Sequence, residues 1–350
     1  MTTPVEPTGS PQRQQSLDVL RGFALMGIFA ANIYIYDLKN FGEVEASFEA
    51  LTIGPADAPF FVFTAVFILN KMMALFSILF GAGILLLVDR VEERQSSAFR
   101  IHYTRNSILA GIGLLHSLIW FGDVLLVYAL CAFLLYPVRG WSTAKFFRAG
   151  SFMWLAVLGA SFWSGTSGIV VGAGLRALSM MLFGMAFYRS GLLTLKRSAD
   201  WYRLKSRRLL GLGIPVCALG WGLYDFDKSL SAFIHNLGVP FVAMGYVCFV
   251  MKLLQRGEIP KITNRLSAAG QMALTNYLLQ TVLGTIFVAG VNEFRGERLT
   301  VIWMMLITLA IWLLQLSWSL PWMKQFHYGP VEWLWRSLTY RKTQPFKLRM

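Results

Sequence analysis

The sequence predicts an all-α, polytopic membrane protein, and three features of its composition support that prediction. Apolar residues fill 56% of the 350 positions, mean hydropathy is +0.54, and charged residues make up only 14%. An ordinary soluble domain has about 25% charged residues. A helix needs about 20 apolar residues to cross a bilayer, so the chain can supply about ten spans. This composition excludes a disordered chain, a secreted disulfide scaffold and a nucleic-acid-binding domain.

Ten apolar segments are predicted to be membrane-spanning helices in a single transmembrane domain, 17–321. The second segment is long, and we expect it to be kinked at Asn70-Lys71. The polar stretch 1–16 is predicted to be a disordered cytoplasmic N-terminus. The predicted spans are roughly 18–36, 59–88, 106–121, 122–138, 149–167, 168–190, 209–224, 230–251, 268–290 and 299–320.

The distribution of basic residues predicts which helix ends face the cytoplasm. With the N-terminus inside, 25 of the 32 Lys and Arg residues fall in cytoplasmic segments and four in external ones. Loops rich in Lys and Arg stay on the cytoplasmic side. We therefore expect an even number of spans and both termini in the cytoplasm. The net charge of +14 then reflects topology and implies no nucleic-acid partner.

The C-terminal tail, 322–350, is predicted to lie on the membrane surface. It alternates aromatic residues such as Trp322 and Trp333 with basic ones such as Lys324 and Arg336. Aromatic rings favour the headgroup region and cations favour anionic lipid. Membrane lipids are therefore the expected partners of this segment, and the sequence leaves a homo-oligomer open.

Metal and nucleotide sites are not expected. The chain has no P-loop, no GxSxG elbow and no zinc-ligand spacing. Its three cysteines, Cys131, Cys217 and Cys248, all lie in apolar runs without CxxC spacing, which is typical of small core residues.

Ionisable and polar groups inside a membrane are costly, so they are the best pointers to function. Asp18 and Arg21 occupy neighbouring positions on the first predicted helix. Asn32 lies eleven residues after Arg21, on the same face and about 16 Å further along. One interpretation is that Arg21 snorkels and Asn32 joins helices together. The other is that this face lines a polar central cavity.

A histidine and a carboxylate follow each other at the end of the third predicted span. His116 and Asp123 are seven residues apart, which would put them on one face if the helix continued, although Gly122 interrupts that register. An imidazole beside a carboxylate is either an oriented general base or a buried hydrogen-bonded pair. The predicted topology places both residues towards the outer leaflet, beside the outer end of the first span.

Other polar residues within spans leave the same two alternatives open. Arg176 needs an anionic partner or a water path, and the anions considered for it are a phosphate, a carboxylate and Asp123. Asn276 and Gln280 lie on one flank of the ninth span, where amides serve either packing or ligand contact. His235 either joins the same cavity or is structural, and Lys71 is either a hinge residue or snorkels to the interface.

Several of these residues lie in segments that resemble the YeiB family of bacterial membrane proteins, a former domain of unknown function. The matching segments are spread over most of the chain, and they are specific only when taken together. They are 17–24 (LDVLRGFA) running to Asn32, 75–83 (LFSILFGAG), 115–116 with 122–123 and 128–130, 270–280 (GQMALTNYLLQ) and 328–336 (YGPVEWLWR).

The YeiB family is distantly similar to transmembrane acyltransferases that modify extracytoplasmic glycans, mainly through Arg21-Gly22 and the 79–83 segment. This resemblance implies a helical bundle that takes an acyl group from acyl-CoA in the cytoplasm and delivers it to an acceptor outside. Acyl-CoA is the implied co-substrate, and no other cofactor is expected. The alternative is a transporter or lipid-handling protein for an anionic solute or lipid that keeps the fold without acyl transfer.

One position departs from the acyltransferase pattern. Many of those enzymes have a histidine eleven residues after the arginine, whereas this chain has Asn32, and an amide cannot abstract a proton. If the chain is an enzyme, His116 supported by Asp123 is the expected replacement base. Arg21 or Arg176 would then bind a phosphate or stabilise charge. The remaining expected substrate-binding residues are Asp18, Asn32, Asn276 and Gln280.

Overall fold

A computed structural model describes residues 15–40, 43, 55–164, 169–296 and 298–348. Within these ranges the chain is helical, no β-strand forms, and one isolated antiparallel bridge joins Phe326 to Lys347. The all-α prediction is therefore confirmed. The predicted disordered N-terminus lies outside the described residues, except for its last two positions.

The first half of the chain forms a set of helices joined mostly by short turns. A 3₁₀ turn, Ile33–Ile35, extends the first helix, and residues 118–124 connect α4 to α5. The helices are α1 (Gln15–Asn32), α2 (Ala58–Phe63), α3 (Lys71–Glu93), α4 (Ala98–Ser117), α5 (Leu125–Leu135), α6 (Thr143–Ser164) and α7 (Ile169–Arg189).

The second half continues the bundle and ends on a short helix that returns to it. A π-helical turn, Thr285–Ala289, links α11 to α12. The helices are α8 (Ala199–Gly222), α9 (Lys228–Gln255), α10 (Pro260–Gln271), α11 (Ala273–Gly284), α12 (Gly290–Arg295), α13 (Val301–Gln325) and α14 (Pro330–Tyr340).

Side-chain caps fix where several helices begin. The Ser97 hydroxyl accepts a hydrogen bond from the Arg100 amide at 3.3 Å at the start of α4. Ser198 does the same for α8, and Asp227 accepts from two backbone amides of α9. Each cap satisfies an amide that the first helical turn leaves without a partner.

The kink expected at Asn70-Lys71 is present. The long second span is divided into α2 and α3 by a π-helical turn, Thr64–Ile68. Asn70 then adopts φ of 65°, in the left-handed region, and α3 begins at Lys71. Asparagine tolerates this conformation better than most residues with a side chain, which explains its place at the break.

Glycines allow two pairs of helices to touch through their backbones. A Cβ atom on Gly22 would collide with the carbonyl oxygen of Leu266, so α1 and α10 are in direct backbone contact. A Cβ atom on Gly81 would collide with the carbonyl of Met181, which places α3 equally close to α7. Small residues are used in this way between membrane helices.

Six helical stretches of the described chain are long and apolar enough to cross a membrane, as expected for a membrane protein. Large apolar side chains are exposed on the surface, among them Trp163 and Phe294, each 92% exposed. Extensive exposed apolar surface marks contact with a membrane or another protein. The six are Gln15–Ile35, Ala58–Glu93, Thr143–Trp163, Lys228–Gln255, Ala273–Arg295 and Val301–Gln325. Ten spans and cytoplasmic termini remain predictions.

Candidate functional site

A cavity of about 250 Å³ opens between helices that are far apart in the sequence. Its walls come from the first turns of α1, most of α3, the middle of α4, the junction of α10 with α11, and α14 with the residues just before it. Its lining includes apolar residues such as Phe76, Leu79 and Phe80. The cavity therefore combines a charged part, called the rim below, with an apolar part.

Arginines dominate the charged part of the cavity. Arg21 donates to Asp18 at 2.8 Å, and that carboxylate is almost completely buried. The predicted pair on α1 is therefore formed, and both of its residues line the cavity. Among the described residues, the lining includes two carboxylates, Asp18 and Glu332, and five guanidinium groups. The five are Arg21, Arg90, Arg94, Arg105 and Arg336.

Two of the cavity arginines are oriented by aromatic rings. The Arg105 guanidinium lies 3.7 Å from the centroid of the Trp335 ring, and the Trp335 indole donates to the Arg105 carbonyl at 2.8 Å. Arg336 lies 4.8 Å from the centroid of Tyr328. These stacking contacts hold the planar groups in place.

Glu332 fixes α14 against the cavity by capping α11. Its carboxylate accepts hydrogen bonds from the amides of Leu274, at 2.6 Å, and Thr275, at 3.1 Å, and from the Thr275 hydroxyl. The Val331 amide also donates to that hydroxyl at 3.1 Å. A Cβ atom on Gly329 would collide with the Glu332 carboxylate. The 328–336 segment therefore docks on the 270–280 segment.

His116 and Asp123 form the pair that their spacing suggested. His116 Nδ1 and Asp123 Oδ1 are 2.7 Å apart, and both side chains are almost completely buried. The helix does not continue between them: α4 ends at Ser117, and a turn brings Asp123 back. Asp123 also accepts from the Leu126 amide at 3.0 Å, at the start of α5. Trp120 in the connecting turn donates to the Ile35 carbonyl, just beyond the end of α1.

The geometry of the pair leaves one imidazole nitrogen available. Because a carboxylate accepts hydrogen bonds, Nδ1 of His116 carries the proton that it shares with Asp123, and Nε2 then has a free lone pair. His116 Nε2 is buried and has no hydrogen-bond partner among the described residues. An oriented general base has this arrangement, and so does a buried hydrogen-bonded pair, so both alternatives stay open.

Tyr277 connects the cavity to the histidine. It lines the cavity, and its ring centroid lies 5.3 Å from that of His116. Tyr277 is on the 270–280 segment, in the first half of α11. One aromatic ring therefore separates the basic cavity from the His116–Asp123 pair.

The other four predicted site residues do not line the cavity. The Asn276 amide donates to the Ala269 carbonyl at 3.1 Å and to the Ser319 hydroxyl at 3.2 Å. Gln280 donates to Gln315 at 2.8 Å. These contacts join α10, α11 and α13, so the two amides serve helix packing, the first of the two alternatives given for them above. Asn32 ends α1, and Arg176 lies on α7 with a buried Nε that has no hydrogen-bond partner among the described residues.

Several cavity residues were not singled out in the sequence. Arg90, Arg94 and Arg105 were counted only among the expected cytoplasmic charges. Tyr277 was noted only as part of a family segment, and Trp335 only as part of the C-terminal tail and of a family segment. Arg90 and Arg94 are four residues apart, so they share a helix face, but nothing in the sequence places Arg105 next to Trp335, 230 positions away. Only the tertiary fold provides that information.

Comparisons with known proteins agree with the family resemblance. Residues 187–342 match the family model described as "Protein of unknown function (DUF418)". The "Uncharacterized protein YeiB" of Escherichia coli (strain K12) is 29% identical, over 95% of this chain and 98% of that protein. The chain therefore resembles the YeiB family over nearly its whole length. The "Uncharacterized protein YxaH" of Bacillus subtilis (strain 168) is 28% identical, over 97% and 98% of the two chains.

A third relative extends the match in the same way. The "Uncharacterized 39.9 kDa protein in amylase 3'region" of Bacillus acidopullulyticus is 29% identical, over 99% of each chain. No solved structure matches. These relatives match nearly the full length of the chain, and their names state no activity.

Proposed function

We propose that this protein is a membrane acyltransferase that moves an acyl group from a cytoplasmic donor, such as acyl-CoA, to an extracytoplasmic acceptor. The observation that supports it is the basic cavity, whose wall at Tyr277 touches the histidine of the His116–Asp123 pair. The proposal includes ten spans, cytoplasmic termini and location in a bacterial inner membrane. The clustering of Arg90, Arg94 and Arg105 at one end of the helices supports that orientation.

The cavity has the two kinds of surface that an acyl-CoA donor requires. Guanidinium groups bind phosphates through paired hydrogen bonds, and Arg105 and Arg336 are held by rings at the rim. The acyl chain and the pantetheine arm are far less polar and suit the wall formed by Phe76 and Phe80. The thioester would then lie between the arginines and Tyr277.

The residues behind Tyr277 supply the proton transfer that acyl transfer needs. His116 Nε2 removes the proton from the acceptor hydroxyl or amine, and the oxygen or nitrogen attacks the thioester carbonyl. The carbon–sulfur bond breaks, an ester or amide forms, and the departing thiolate takes the proton to become a thiol. Asp123 holds Nδ1 and stabilises the positive charge that His116 carries between the two transfers.

The test is acyl transfer or acyl-CoA hydrolysis by the purified protein. We expect His116→Ala and Asp123→Asn to lower kcat by about 10²–10⁴-fold, the usual contribution of a general base. The matched control is His327→Ala, because His327 does not line the cavity. Wild-type activity in both His116→Ala and Asp123→Asn would refute the assigned base, and no activity with any acyl-CoA would refute the proposed reaction.

Donor binding has its own test at the rim. We expect Arg105→Gln with Arg336→Gln to raise KM for acyl-CoA much more than it lowers kcat, because these groups contact the phosphates before and during reaction. Arg203→Gln is the control, since Arg203 is an exposed arginine that does not line the cavity. An unchanged KM in the double variant would exclude phosphate binding at the rim.

The second candidate is passage of an anionic solute or lipid. The observation that favours it is Asn32, which stands where many acyltransferases have their base and cannot abstract a proton. The basic rim serves an anion in either case. Flux of labelled anionic solute or lipid in proteoliposomes, without acyl transfer and unchanged in His116→Ala, would select this candidate.

A further inference from the structure

A second polar cluster lies at the helix break, outside the cavity. Lys71 is completely buried at the start of α3. Its Nζ atom donates to the Ala65 carbonyl at 2.8 Å and lies 3.1 Å from Nε2 of His235 on α9. Among the described residues, no carboxylate forms an ion pair with it. An ionisable group buried in this way within a membrane protein is costly and indicates function.

The break itself provides the acceptors for this cluster. The π-helical turn Thr64–Ile68 and the left-handed Asn70 free backbone carbonyls from the helix. Ala65 also accepts from the Trp221 indole at 3.1 Å, and Phe67 accepts from the Tyr246 hydroxyl at 2.8 Å. Unwound carbonyls of broken membrane helices are common ligands for cations and protons. Here the ammonium of Lys71 occupies that position.

His235 can accept from Lys71 only while its ring is neutral. The Nε2 lone pair must face the ammonium, so the ring proton lies on Nδ1, which is buried and has no hydrogen-bond partner among the described residues. A second proton on the ring would put two positive charges about 3 Å apart in a dry site, which is strongly unfavourable. In this geometry the pair therefore carries a single positive charge, that of Lys71, and a second proton is incompatible with the contact.

We propose that Lys71 and His235 form an intramembrane proton-binding site that controls the helix break at 64–70. The occluded geometry is the singly protonated form. When acidification protonates His235, the two cations separate, the Lys71–Ala65 hydrogen bond is lost and water reaches the break. The contact is thus present at neutral pH and lost as pH falls. This proposal is independent of acyl transfer, because the cluster does not line the cavity.

The other titratable groups around the cluster do not supply a counter-charge. Cys217 on α8 donates its thiol to the His235 carbonyl at 3.6 Å. Arg176 on α7 adds a further positive charge facing His235. Tyr246, on α9, donates to the Phe67 carbonyl and stays neutral in that role. The acid-induced repulsion between Lys71 and His235 is therefore not offset by a nearby anion.

Hydrogen exchange of the amides in 64–71, measured by mass spectrometry on the detergent-solubilised protein, tests the site. After correction for intrinsic rates, we expect wild-type exchange to rise at least about tenfold between pH 7.5 and pH 5. Each pH unit below about 6.5, the pKa of a hydrated histidine, favours the open form with a protonated His235 by a further factor of ten. His235→Gln keeps a neutral side chain and should lose this response. The matched control is His102→Gln, a buried histidine bonded to the Ala132 carbonyl and not to a lysine, which should keep it.

A second measurement covers the case in which His235→Gln fails to fold. The chain has four histidines, so ¹⁵N-histidine NMR with the other three replaced by Gln observes His235 alone. We expect Nε2 to be the unprotonated nitrogen at neutral pH and the ring to become charged over the pH range in which exchange rises. A proton on Nε2 at neutral pH, a ring that stays neutral through that range, or a pH response retained in His235→Gln would overturn the proposal.

Discussion

Replacing Glu332 tests whether the C-terminal helix is fastened to the cavity by hydrogen bonds or by charge. Its carboxylate is the acceptor for the Leu274 and Thr275 amides and for the Thr275 hydroxyl, all at the first turn of α11. Glu332→Ala leaves these three donors without their partner. A buried donor that loses its acceptor costs about 1–3 kcal/mol.

The expected loss lies at the lower end of that range for each donor, because the carboxylate also lines the cavity and water can enter when it is removed. We therefore expect Glu332→Ala to destabilise the protein by about 3 kcal/mol. A change of 1 kcal/mol shifts Tm by about 2–4 °C in a chain of 150–250 residues and by less in a longer one. The expected fall in Tm is about 3–6 °C.

Glu332→Gln separates the two explanations. The amide oxygen of Gln still accepts from the backbone, and burial raises the pKa of Glu332 because a buried carboxyl group loses hydration of its charged form. The neutral side chain is therefore expected to cost less than about 1 kcal/mol. The assay is the melting temperature in detergent, together with hydrogen exchange of the first turn of α11. Equal losses in Glu332→Gln and Glu332→Ala would refute the hydrogen-bond explanation, and Glu258→Ala, at an exposed ion pair, is the control.

Three further predictions follow from the described contacts. The pKa of Glu332 is raised in the folded protein, so ionisation of its carboxyl group costs stability as the pH rises through that pKa. The difference in Tm between wild type and Glu332→Gln should therefore shrink from pH 5 to pH 8. Gly81→Ala should lower Tm or abolish folding because its Cβ meets the Met181 backbone, whereas Gly83→Ala should have little effect because its nearest neighbour is 3.9 Å away. Gln280→Ala should reduce thermal stability and leave KM for acyl-CoA unchanged, and a raised KM would place Gln280 in the donor site.

The sequence predicts a kink or a side-chain pair where all the residues involved lie in one helix or one short segment. Asn70-Lys71 predicts the kink because an asparagine, which tolerates left-handed backbone, and a charged side chain rarely lie together inside an unbroken apolar helix. Asp18 and Arg21 pair because residues three positions apart are neighbours on the surface of a helix. His116 and Asp123 also meet, although a turn brings them together instead of the continuous helix that the seven-residue spacing assumed.

Contacts between segments that are distant in the sequence could not be predicted. The spacing of Asn276 and Gln280 suits packing and ligand contact equally well, and only the positions of Ser319 and Gln315 on α13 show which groups they bind. Arg105 and Trp335 are 230 positions apart, and the predicted topology already explains Arg105 as one of many basic residues in an expected cytoplasmic loop. The cavity is a property of the fold and not of any one segment.

The position of Tyr277 bears on whether the cavity serves chemistry or passage. Beyond it lie the His116–Asp123 pair and then the contact between Trp120 and Tyr36, whose ring centroids are 4.9 Å apart. An acyl group held in the cavity has only to pass one aromatic ring to reach His116, and the rest of its donor stays at the arginines. A transported solute would have to displace Tyr277, the buried pair and the Trp120–Tyr36 contact in succession. Under the proposed function, the same groups would also keep water from the base, so this geometry supports the proposal of acyl transfer over the proposal of passage.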